Sequence, residues 1–284
     1  MADIQASNIP CLGSVIGDIV GSVYEFDNIK TTEFPIVGPL SHFTDDTVMT
    51  AAVAEWLNVD DPIKLTQERL TDRLVSWGKR YPNAGYGKAF YTWLFTPQYL
   101  KDYKGGLIGK RAPYYSLGDG SAMRCSACGW VADRVEQAME LAEKSALPTH
   151  NHPEAIRGAK AVAAAIYIAL HGATKEEITQ FIETNLYYDL HRHIEDIRDS
   201  YKWEIACQNV VPEAIIAFLD STDFESAIRL AVSLGGDSDT IACITGGIAQ
   251  AFYKDIPDEI VHKTVPLIDD EILIALCNLI DVGK

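Results

Sequence analysis

The chain has 284 residues with a formal net charge of −16, and 48% of its residues are hydrophobic. This length and composition are typical of a globular protein with a large buried core, and they exclude an intrinsically disordered chain. The strong negative charge argues against nucleic acid or an anionic membrane as a general partner.

Apolar residues recur at helical spacing along most of the chain, whereas alternation of period two is nearly absent. In Pro153–Leu170, apolar side chains fall on one face, and the proline suits the first helical turn. The pattern predicts helices over Thr47–Leu57, Leu65–Gly78, Met123–Glu143, Pro153–Leu170, Ile178–Asn185, Val211–Leu219, Phe224–Ser233, Thr240–Tyr253, Asp258–Lys263 and Asp270–Ile280. We therefore predict an all-α fold, as a single orthogonal multi-helix domain over residues 1–284.

Three glycines near the start of the chain are spaced by four residues, at Gly13, Gly17 and Gly21. This spacing predicts a smooth strip on one helix face for close packing against another helix. A phosphate-binding loop is excluded, because neither Gly-Lys-Ser/Thr nor GxGxxG is present. Asp18 and Glu25 are expected two turns apart on the same side, and for Glu25 we favour a role in the site.

A first acidic cluster, Thr44-Asp45-Asp46-Thr47, directly precedes the apolar run of a predicted helix. One interpretation is an N-cap with an acidic first turn, which complements the helix dipole. The other is metal binding, because carboxylates flanked by apolar sequence repel one another unless a cation holds them.

The segment Tyr81–Ser121 is the longest irregular stretch and is rich in Gly, Pro, Tyr and Lys, which favours a role in lining a binding site. At its end, the glycines of Gly118-Asp119-Gly120 expose backbone N–H groups that suit phosphate or ribose oxygens. An ordinary helix-start loop is the alternative. Farther on, His150 and His152 lack a third zinc ligand nearby, so a phosphate contact or a capping role fits them better.

Six cysteines are scattered along the chain, and only Cys125 and Cys128 have CxxC spacing. No second CxxC pair accompanies them, so we interpret them as small buried helix residues. The N-terminus lacks the basic region of a signal peptide, and no uncharged apolar run reaches 18 residues. These features predict a reduced, soluble, cytoplasmic protein.

A second acidic cluster, Asp237-Ser238-Asp239-Thr240, follows two glycines and precedes another apolar run. Helix capping explains one of its aspartates but not both. An EF-hand is excluded, because the sixth and twelfth loop positions hold Ala242 and Ile248. Carboxylate and hydroxyl oxygens suit Mg²⁺ or Mn²⁺ and not zinc. We therefore predict that the two clusters meet across a helical core and hold two metal ions.

Several motifs follow one another in a specific order. They are Gly17-Asp18-x-x-Gly21-x-x-x-Glu25, Phe43-Thr44-Asp45-Asp46-Thr47, Gly85-Tyr86-Gly87, Gly118-x-Gly120-Ser121-Ala122-Met123-Arg124, Thr149-His150, Val211-Pro212-Glu213-Ala214 and Gly235-Gly236-Asp237-Ser238-Asp239-Thr240. In this order, the chain resembles the ADP-ribosylglycohydrolase family over roughly residues 11–253. Each motif alone is weakly specific, but the ordered set is highly specific.

This resemblance implies an all-α fold with a binuclear Mg²⁺ or Mn²⁺ centre in a loop-lined cleft. It assigns metal-ligand roles to Thr44, Asp45, Asp46, Asp237, Asp239 and Thr240. It places Glu25 on a mobile flap over the metals. It places substrate-binding residues around ADP-ribose at Gly118, Asp119, Gly120, Ser121, Met123 and His150, with Gly85, Tyr86 and Gly87 as a second wall. Many similar proteins have Asn at position 119, so a carboxylate there beside a diphosphate is a departure.

The implied reaction is hydrolysis of the bond between C1 of the distal ribose and a modified acceptor, with arginine-linked ADP-ribose favoured. Asp46 or Glu25 would act as general base or stabilise oxocarbenium-like charge. The expected partner is an ADP-ribosylated protein or a small ADP-ribose conjugate, and we expect a monomer. The alternatives are a Mg²⁺-dependent nucleotide-diphosphate phosphohydrolase, an ADP-ribose-binding module and a crystallin-like protein without activity.

Overall fold

The computed structural model describes residues 6–96, 99–101, 107–109 and 111–281, and this part of the chain is almost wholly helical. Its α-helices are α1 (Leu12–Gly21), α2 (Asp45–Leu57), α3 (Gln67–Arg80), α4 (Lys88–Phe95), α5 (Gly120–Met123), α6 (Ser126–Val131), α7 (Val135–Ala146), α8 (Pro153–Leu170), α9 (Lys175–Leu186), α10 (Ile194–Ile197), α11 (Cys207–Asp220), α12 (Phe224–Ser233), α13 (Ser238–Tyr253), α14 (Asp258–Thr264) and α15 (Asp270–Cys277). Short 3-10 turns lie at Ala6–Asn8, Pro62–Lys64, Val265–Leu267 and Asn278–Asp281. The prediction of an all-α domain is confirmed. That this domain spans all of residues 1–284 stays a prediction, because both termini lie outside the described residues.

Three details of the helix prediction were wrong. The helix predicted over Met123–Glu143 is divided: α5 ends at Met123, α6 begins at Ser126, and α6 and α7 are separated where Arg134 is extended, with φ −154° and ψ 155°. The segment Tyr81–Ser121 is not wholly irregular, since it contains α4 and an antiparallel pair of short strands, β1 (Tyr99–Lys101) and β2 (Leu107–Gly109). The last predicted helix ends at Cys277 and continues as a 3-10 turn.

Among the described residues, the most extensive helix–helix contact is that of α1 with α13, and the glycine strip allows the two helices to approach closely. A Cβ added at Gly17 would lie 2.0 Å from the carbonyl oxygen of Ala242, and one at Gly13 would lie 2.3 Å from that of Gly246. A Cβ at Gly21 would lie 2.5 Å from Asp239 Cα. The predicted packing role of these glycines is confirmed. As a result of this packing, the end of α1 lies against the second acidic cluster.

The long helix α8 lies in the interior and contacts α6, α7, α9, α11 and α13. Pro153 occupies its first turn, as predicted, and His152 Nδ1 caps it by accepting the backbone N–H of Glu154 at 3.1 Å. Alanines fill much of its buried surface, which lets neighbouring helices approach closely.

The cysteines serve the core in the way the sequence indicates. All six are free thiols, and five of them, including Cys125 and Cys128, are buried. The thiol of Cys125 donates to the carbonyl oxygens of Ala122 and Ala159 at 3.1 and 3.3 Å. Among the helices of the described residues, none combines the length and the apolarity needed to cross a membrane.

Candidate active site

Each acidic cluster lies at the start of a helix, where partly unpaired N–H groups favour negative charge. Thr44 is the N-cap of α2, and its hydroxyl accepts the backbone N–H of Asp46. Asp237 occupies the N-cap position of α13, but its side chain makes no capping bond. The capping interpretation therefore does not account for the Asp237 carboxylate, which faces a cleft instead.

The two clusters meet, as the sequence predicts. The hydroxyl of Thr240 donates to Asp46 Oδ2 at 3.2 Å, and that of Thr44 lies 3.4 Å from the same oxygen. Carboxylate oxygens of Asp18, Asp46 and Asp239 all lie within 4.8 Å of one another, and all three residues are buried. The other oxygen of Asp46, Oδ1, is buried without a hydrogen-bond partner in the described residues.

Asp18 belongs to this cluster, although the sequence analysis assigned it no ligand or catalytic role. Its carboxylate accepts the backbone N–H groups of Thr44 and Thr47 at 2.9 and 3.1 Å. It also accepts both threonine hydroxyls, at 2.7 and 2.5 Å. Asp18 therefore fixes the first turn of α2 against α1. Its position as the single charge in an otherwise apolar helix was the signal that could have revealed it.

Glu25 lies beyond α1, which ends at Gly21, so it does not share a helix face with Asp18 as expected. Its carboxylate nevertheless comes within 4.8 Å of those of Asp237 and Asp239. Asn28 holds this segment, because its amide donates to the carbonyl oxygens of Tyr24 and Glu25 at 2.7 and 2.9 Å.

The same asparagine links the Glu25 segment to the second cluster. Its side chain exchanges two hydrogen bonds with the backbone of Gly236, at 2.8 and 3.0 Å. Gly235 and Gly236 have φ of 66° and 74°, a region that favours glycine. A Cβ at Gly236 would also lie 2.8 Å from the ring of Tyr201. The glycine pair thus allows the chain to turn tightly into α13 beside Glu25.

Burial raises the pKa of every carboxyl group in the cluster, and for all of them except Asp239 repulsion from neighbouring carboxylates adds to the rise. Burial, followed by repulsion from Asp239, raises the pKa of Asp18 to about 7 and that of Glu25 to about 8. The same causes raise the pKa of Asp45 and of Asp46 well above the usual range. Without a compensating cation, these groups therefore resist full ionisation at neutral pH.

The cluster forms one end of a cleft of about 520 Å³. Of the residues predicted for the site, those that line this cleft are Glu25, Asp45, Asp46, Gly85, Gly87, Gly118, Asp119, Gly120, Met123, His150, Asp237, Asp239 and Thr240. Aromatic residues that the sequence analysis did not select also line it, at Phe26, Phe90, Tyr114 and Trp203. The signal for Phe90 and Tyr114 was the concentration of aromatic residues in Tyr81–Ser121, which identified the segment but not the individual side chains, whereas Phe26 and Trp203 lie outside it.

Three residues predicted for the site, Thr44, Tyr86 and Ser121, are not among those that line the cleft. The Thr44 hydroxyl donates to Asp18, and the Ser121 hydroxyl donates to the carbonyl oxygen of Ala155 at 3.0 Å. Tyr86 is buried, with its ring centroid 5.7 Å from that of Phe90. A contact of Ser121 with a ligand would thus come from its backbone, and the assigned roles of these three residues stay predictions.

His150 lines the cleft as a neutral imidazole. Its Nδ1 lies 2.7 Å from the hydroxyl of Thr149, which accepts a hydrogen bond from Arg124 at 2.9 Å. Burial and the nearby Arg124 charge hold the pKa of His150 well below its usual value. The other ring nitrogen, Nε2, lies toward Gly118 and Gly120. The imidazole can therefore make a neutral hydrogen bond to a ligand beside this loop.

Asp119 is buried beside the second cluster, and its Oδ2 has no hydrogen-bond partner in the described residues. Its backbone N–H donates to the carbonyl oxygen of Ile205 at 2.8 Å. Burial raises the pKa of Asp119 to about 8, although interaction with Asp237 opposes the rise. A proton on Asp119 would remove the repulsion that a carboxylate exerts on a diphosphate.

The helical fold, the buried carboxylates and the adjoining cleft are typical of a class of hydrolase in which carboxylate and hydroxyl oxygens stand beside a ligand-binding cleft. A family model described as ADP-ribosylglycohydrolase matches residues 11–281. The chain therefore belongs to the ADP-ribosylglycohydrolase family, and it is an enzyme that hydrolyses glycosidic bonds of ADP-ribose.

Three relatives cover most of the chain at low identity. The ADP-ribosylarginine hydrolase Tri1 of Pseudomonas putida is 27% identical over 270 residues, spanning 89% of this chain and 72% of its own length. ADP-ribosylhydrolase ARH3 of Mus musculus is 27% identical over 320 residues, spanning 87% of this chain and 84% of its own length. An uncharacterised protein of Archaeoglobus fulgidus is 28% identical over 274 residues, spanning 87% of each chain.

A solved structure supports the fold. The chain described as an ADP-ribosylglycohydrolase-related protein complex superimposes with a TM-score of 0.73, and each chain is covered over 99% of its length. The two sequences are 24% identical, so this likeness establishes the fold alone.

Proposed function

We propose that this enzyme is a divalent-metal-dependent hydrolase that releases ADP-ribose from an ADP-ribosylated protein, with arginine as the favoured acceptor. The observation that carries the proposal is the meeting of the two acidic clusters, where the Thr240 hydroxyl lies 3.2 Å from Asp46 Oδ2. The name of the Pseudomonas relative supports arginine as the acceptor. The ARH3 name specifies no acceptor, so it is neutral on this point.

The residues of the cluster fit two Mg²⁺ ions, with Mn²⁺ as the alternative. Asp46 Oδ1 is buried without a hydrogen-bond partner in the described residues, so it has an unused acceptor for a cation. The donors are carboxylate and hydroxyl oxygens, which these hard ions prefer. The residues that would hold the ions are Thr44, Asp45, Asp46, Asp237, Asp239 and Thr240.

When bound, the ions would supply positive charge that polarises nearby substrate oxygens and lowers the pKa of a water beside them. Glu25 is the proposed general base, because it is half-buried at the cleft and its carboxylate reaches toward Asp237 and Asp239. Glu25 would take a proton from the water whose oxygen bonds to C1 of the ribose, while the electron pair of the C1–acceptor bond leaves with the acceptor, to which Glu25 would then return the proton. Asp46 keeps its place in the cluster through the Thr240 hydroxyl.

The remainder of the cleft is proposed to bind the ADP moiety. Gly118 and Gly120 present backbone at the cleft wall, and a Cβ on Gly120 would lie only 3.0 Å from His150 Nε2. Their lack of side chains leaves room for a ligand to approach the backbone. His150 offers a hydrogen bond from the same side, while Gly85 and Gly87 line the opposing part of the proposed site.

The direct test is hydrolysis of a panel of arginine-, serine- and ester-linked ADP-ribose with and without Mg²⁺ or Mn²⁺. We expect free ADP-ribose as the product, fastest from the arginine linkage, and loss of activity in Asp46→Ala and Asp239→Ala. The matched control is Asp60→Ala, which removes an exposed carboxylate.

Three results would each contradict part of the proposal. Full activity in both cluster variants would overturn the metal assignment. Release of AMP in place of ADP-ribose would identify a phosphohydrolase. A preference for serine or ester linkages would overturn the acceptor assignment alone.

A further inference from the structure

Two aromatic side chains form a stacked pair at the cleft. The ring centroids of Phe26 and Trp203 are 5.5 Å apart, with an angle of 16° between the ring planes. Both residues line the cleft, yet 86% of Phe26 and 47% of Trp203 remain exposed. Large apolar side chains left exposed together at a ligand cleft indicate a contact surface for something that binds there.

The pair lies beside the residue proposed to act as base. Phe26 directly follows Glu25, whose carboxylate approaches those of Asp237 and Asp239 within 4.8 Å. Because Glu25 has to reach the bond that breaks, its neighbour Phe26 is expected near that bond. The other member of the pair, Trp203, stands two residues before Ile205, whose carbonyl oxygen accepts the backbone N–H of Asp119 in the Gly118–Gly120 loop.

Hydrogen bonds hold the backbone on both sides of the pair. Asn28 fixes the Glu25 segment through the carbonyl oxygens of Tyr24 and Glu25. On the other side, the Glu204 carboxylate accepts the backbone N–H groups of Ile205 and Ala206, both at 2.9 Å. The two rings are therefore presented on anchored segments, so little ordering entropy is lost when a ligand packs against them.

The residue next to Phe26 in the chain, Glu25, is acidic. Six carboxyl groups line the cleft, at Glu25, Asp45, Asp46, Asp119, Asp237 and Asp239. The cations among its described lining residues are Lys88 and Arg124. Arg124 is fully buried, with hydrogen bonds to Ser145 and Thr149. Lys88 is the first residue of α4, beside Gly87. The two aromatic faces next to Glu25 therefore offer a place for a planar cation.

We propose that Phe26 and Trp203 recognise the guanidinium group of the arginine acceptor, an inference that rests on the proposed function. A guanidinium stacks on aromatic faces and is attracted by their π electrons, and Arg does so more readily than a compact ammonium. A serine or acetyl-ester linkage carries no cation and gains nothing from this contact. The pair is thus assigned as the determinant of acceptor specificity at the same site.

The first test is a kinetic comparison of three proteins on arginine-, serine- and ester-linked ADP-ribose. Trp203→Leu keeps an apolar side chain but removes the aromatic face, whereas Trp203→Phe keeps such a face. The matched control is Tyr91→Leu, because Tyr91 is 48% exposed, stands on α4 and contacts Phe95. We expect Trp203→Leu to lower kcat/KM for the arginine linkage on the order of tenfold, with the other linkages and Tyr91→Leu unchanged. Trp203→Phe should retain most of the activity.

A second readout does not depend on turnover. L-Arginine methyl ester should bind the wild-type protein in calorimetry and compete with the arginine-linked substrate, whereas the neutral isostere L-citrulline methyl ester should not. Equal losses in Trp203→Leu for all three linkages, or equal binding of the two esters, would overturn the inference. Hydrolysis of only the serine or ester linkage would also overturn the assignment of the pair to arginine recognition. That result would leave the proposed metal-dependent hydrolase activity intact. A wild-type protein that releases ADP-ribose from none of the linkages would contradict the proposed function as well.

Discussion

The Thr240 hydroxyl donates a 3.2 Å hydrogen bond to Asp46 across a sequence separation of 194 residues. The contact exists because α1 packs tightly on α13, while Asp18 of α1 holds the first turn of α2. The N-terminal ends of α2 and α13 are thereby brought together with their carboxylates side by side. The glycine strip and the acidic site are thus parts of one structural arrangement.

Asp18→Asn should weaken metal binding without removing a proposed ligand. The Asp18 carboxylate accepts four hydrogen bonds from Thr44 and Thr47, and an amide group in its place would turn N–H groups toward some of these donors. Loss of such supporting bonds lowers metal affinity by about 10- to 100-fold. A Mn²⁺ titration measures this, with Asp60→Asn as control. Unchanged Mn²⁺ affinity in Asp18→Asn would contradict the supporting role of Asp18 at the metal site.

Gly17→Ala should destabilise the fold, because its Cβ would lie 2.0 Å from the carbonyl oxygen of Ala242. The contact is with backbone, so α1 and α13 have to separate, at a cost of about 1–3 kcal/mol or more. Gly38→Ala is the matched control, since nothing lies within 4 Å of a Cβ there. Chemical denaturation of the two variants should differ accordingly, and equal stabilities would contradict the packing argument.

The metal-free protein should lose stability as the pH rises. Burial raises the pKa of Asp18 to about 7, and the pKa values of Glu25 and Asp119 rise to about 8. The unfolded values lie near 4. The folded state therefore binds more protons than the unfolded state between about pH 4 and pH 8. These groups contribute stability below this window, and the contribution is lost as the pH rises through the folded pKa values.

Urea denaturation in EDTA at several pH values between 5 and 8 measures this loss. Added Mg²⁺ should reduce the decline, because the ion replaces the protons as the partner of the carboxylates. Asp18→Asn should make the metal-free decline shallower, since one of the titrating groups is gone. A metal-free protein that becomes more stable across the window would contradict the assigned directions of the pKa shifts.

His150→Ala should weaken ADP-ribose binding and leave metal binding intact. The neutral imidazole lies beside Gly118 and Gly120, so its removal costs one hydrogen bond to the ligand. Such a loss corresponds to a rise in Kd of about two- to tenfold. Calorimetry with free ADP-ribose gives the Kd, and the exposed His262→Ala is the control. A loss of Mn²⁺ binding in His150→Ala would show that the residue acts elsewhere.

Much of the fold followed from helical periodicity, and the contact between the acidic clusters followed from charge. Helix α8 was predictable because its apolar face is continuous and Pro153 marks its start. The break before α7 was not predictable, because Ala132-Asp133-Arg134 contains no strong helix breaker. Tertiary contacts end the helix there: the Asp133 carbonyl oxygen accepts the Tyr167 hydroxyl at 2.9 Å.

The site was predicted less completely than the fold. Local patterns revealed Asp46 and Asp239, because each stands with a second carboxylate at a helix start. Asp18 was assigned no role, since its partners Thr44 and Thr47 meet it only through helix packing. Likewise, no local pattern joins Phe26 to Trp203, because the fold brings together the loops before α2 and α11 that carry these residues.

The central claim is that the joined clusters hold two divalent cations, and a count of bound Mn²⁺ tests it most directly. Electron paramagnetic resonance of free Mn²⁺ during titration gives the number of ions bound per chain. The account predicts two ions for the wild-type protein and Asp60→Ala, and fewer for Asp46→Ala and Asp239→Ala. No stoichiometric binding by the wild-type protein, or two ions retained in both cluster variants, would contradict it.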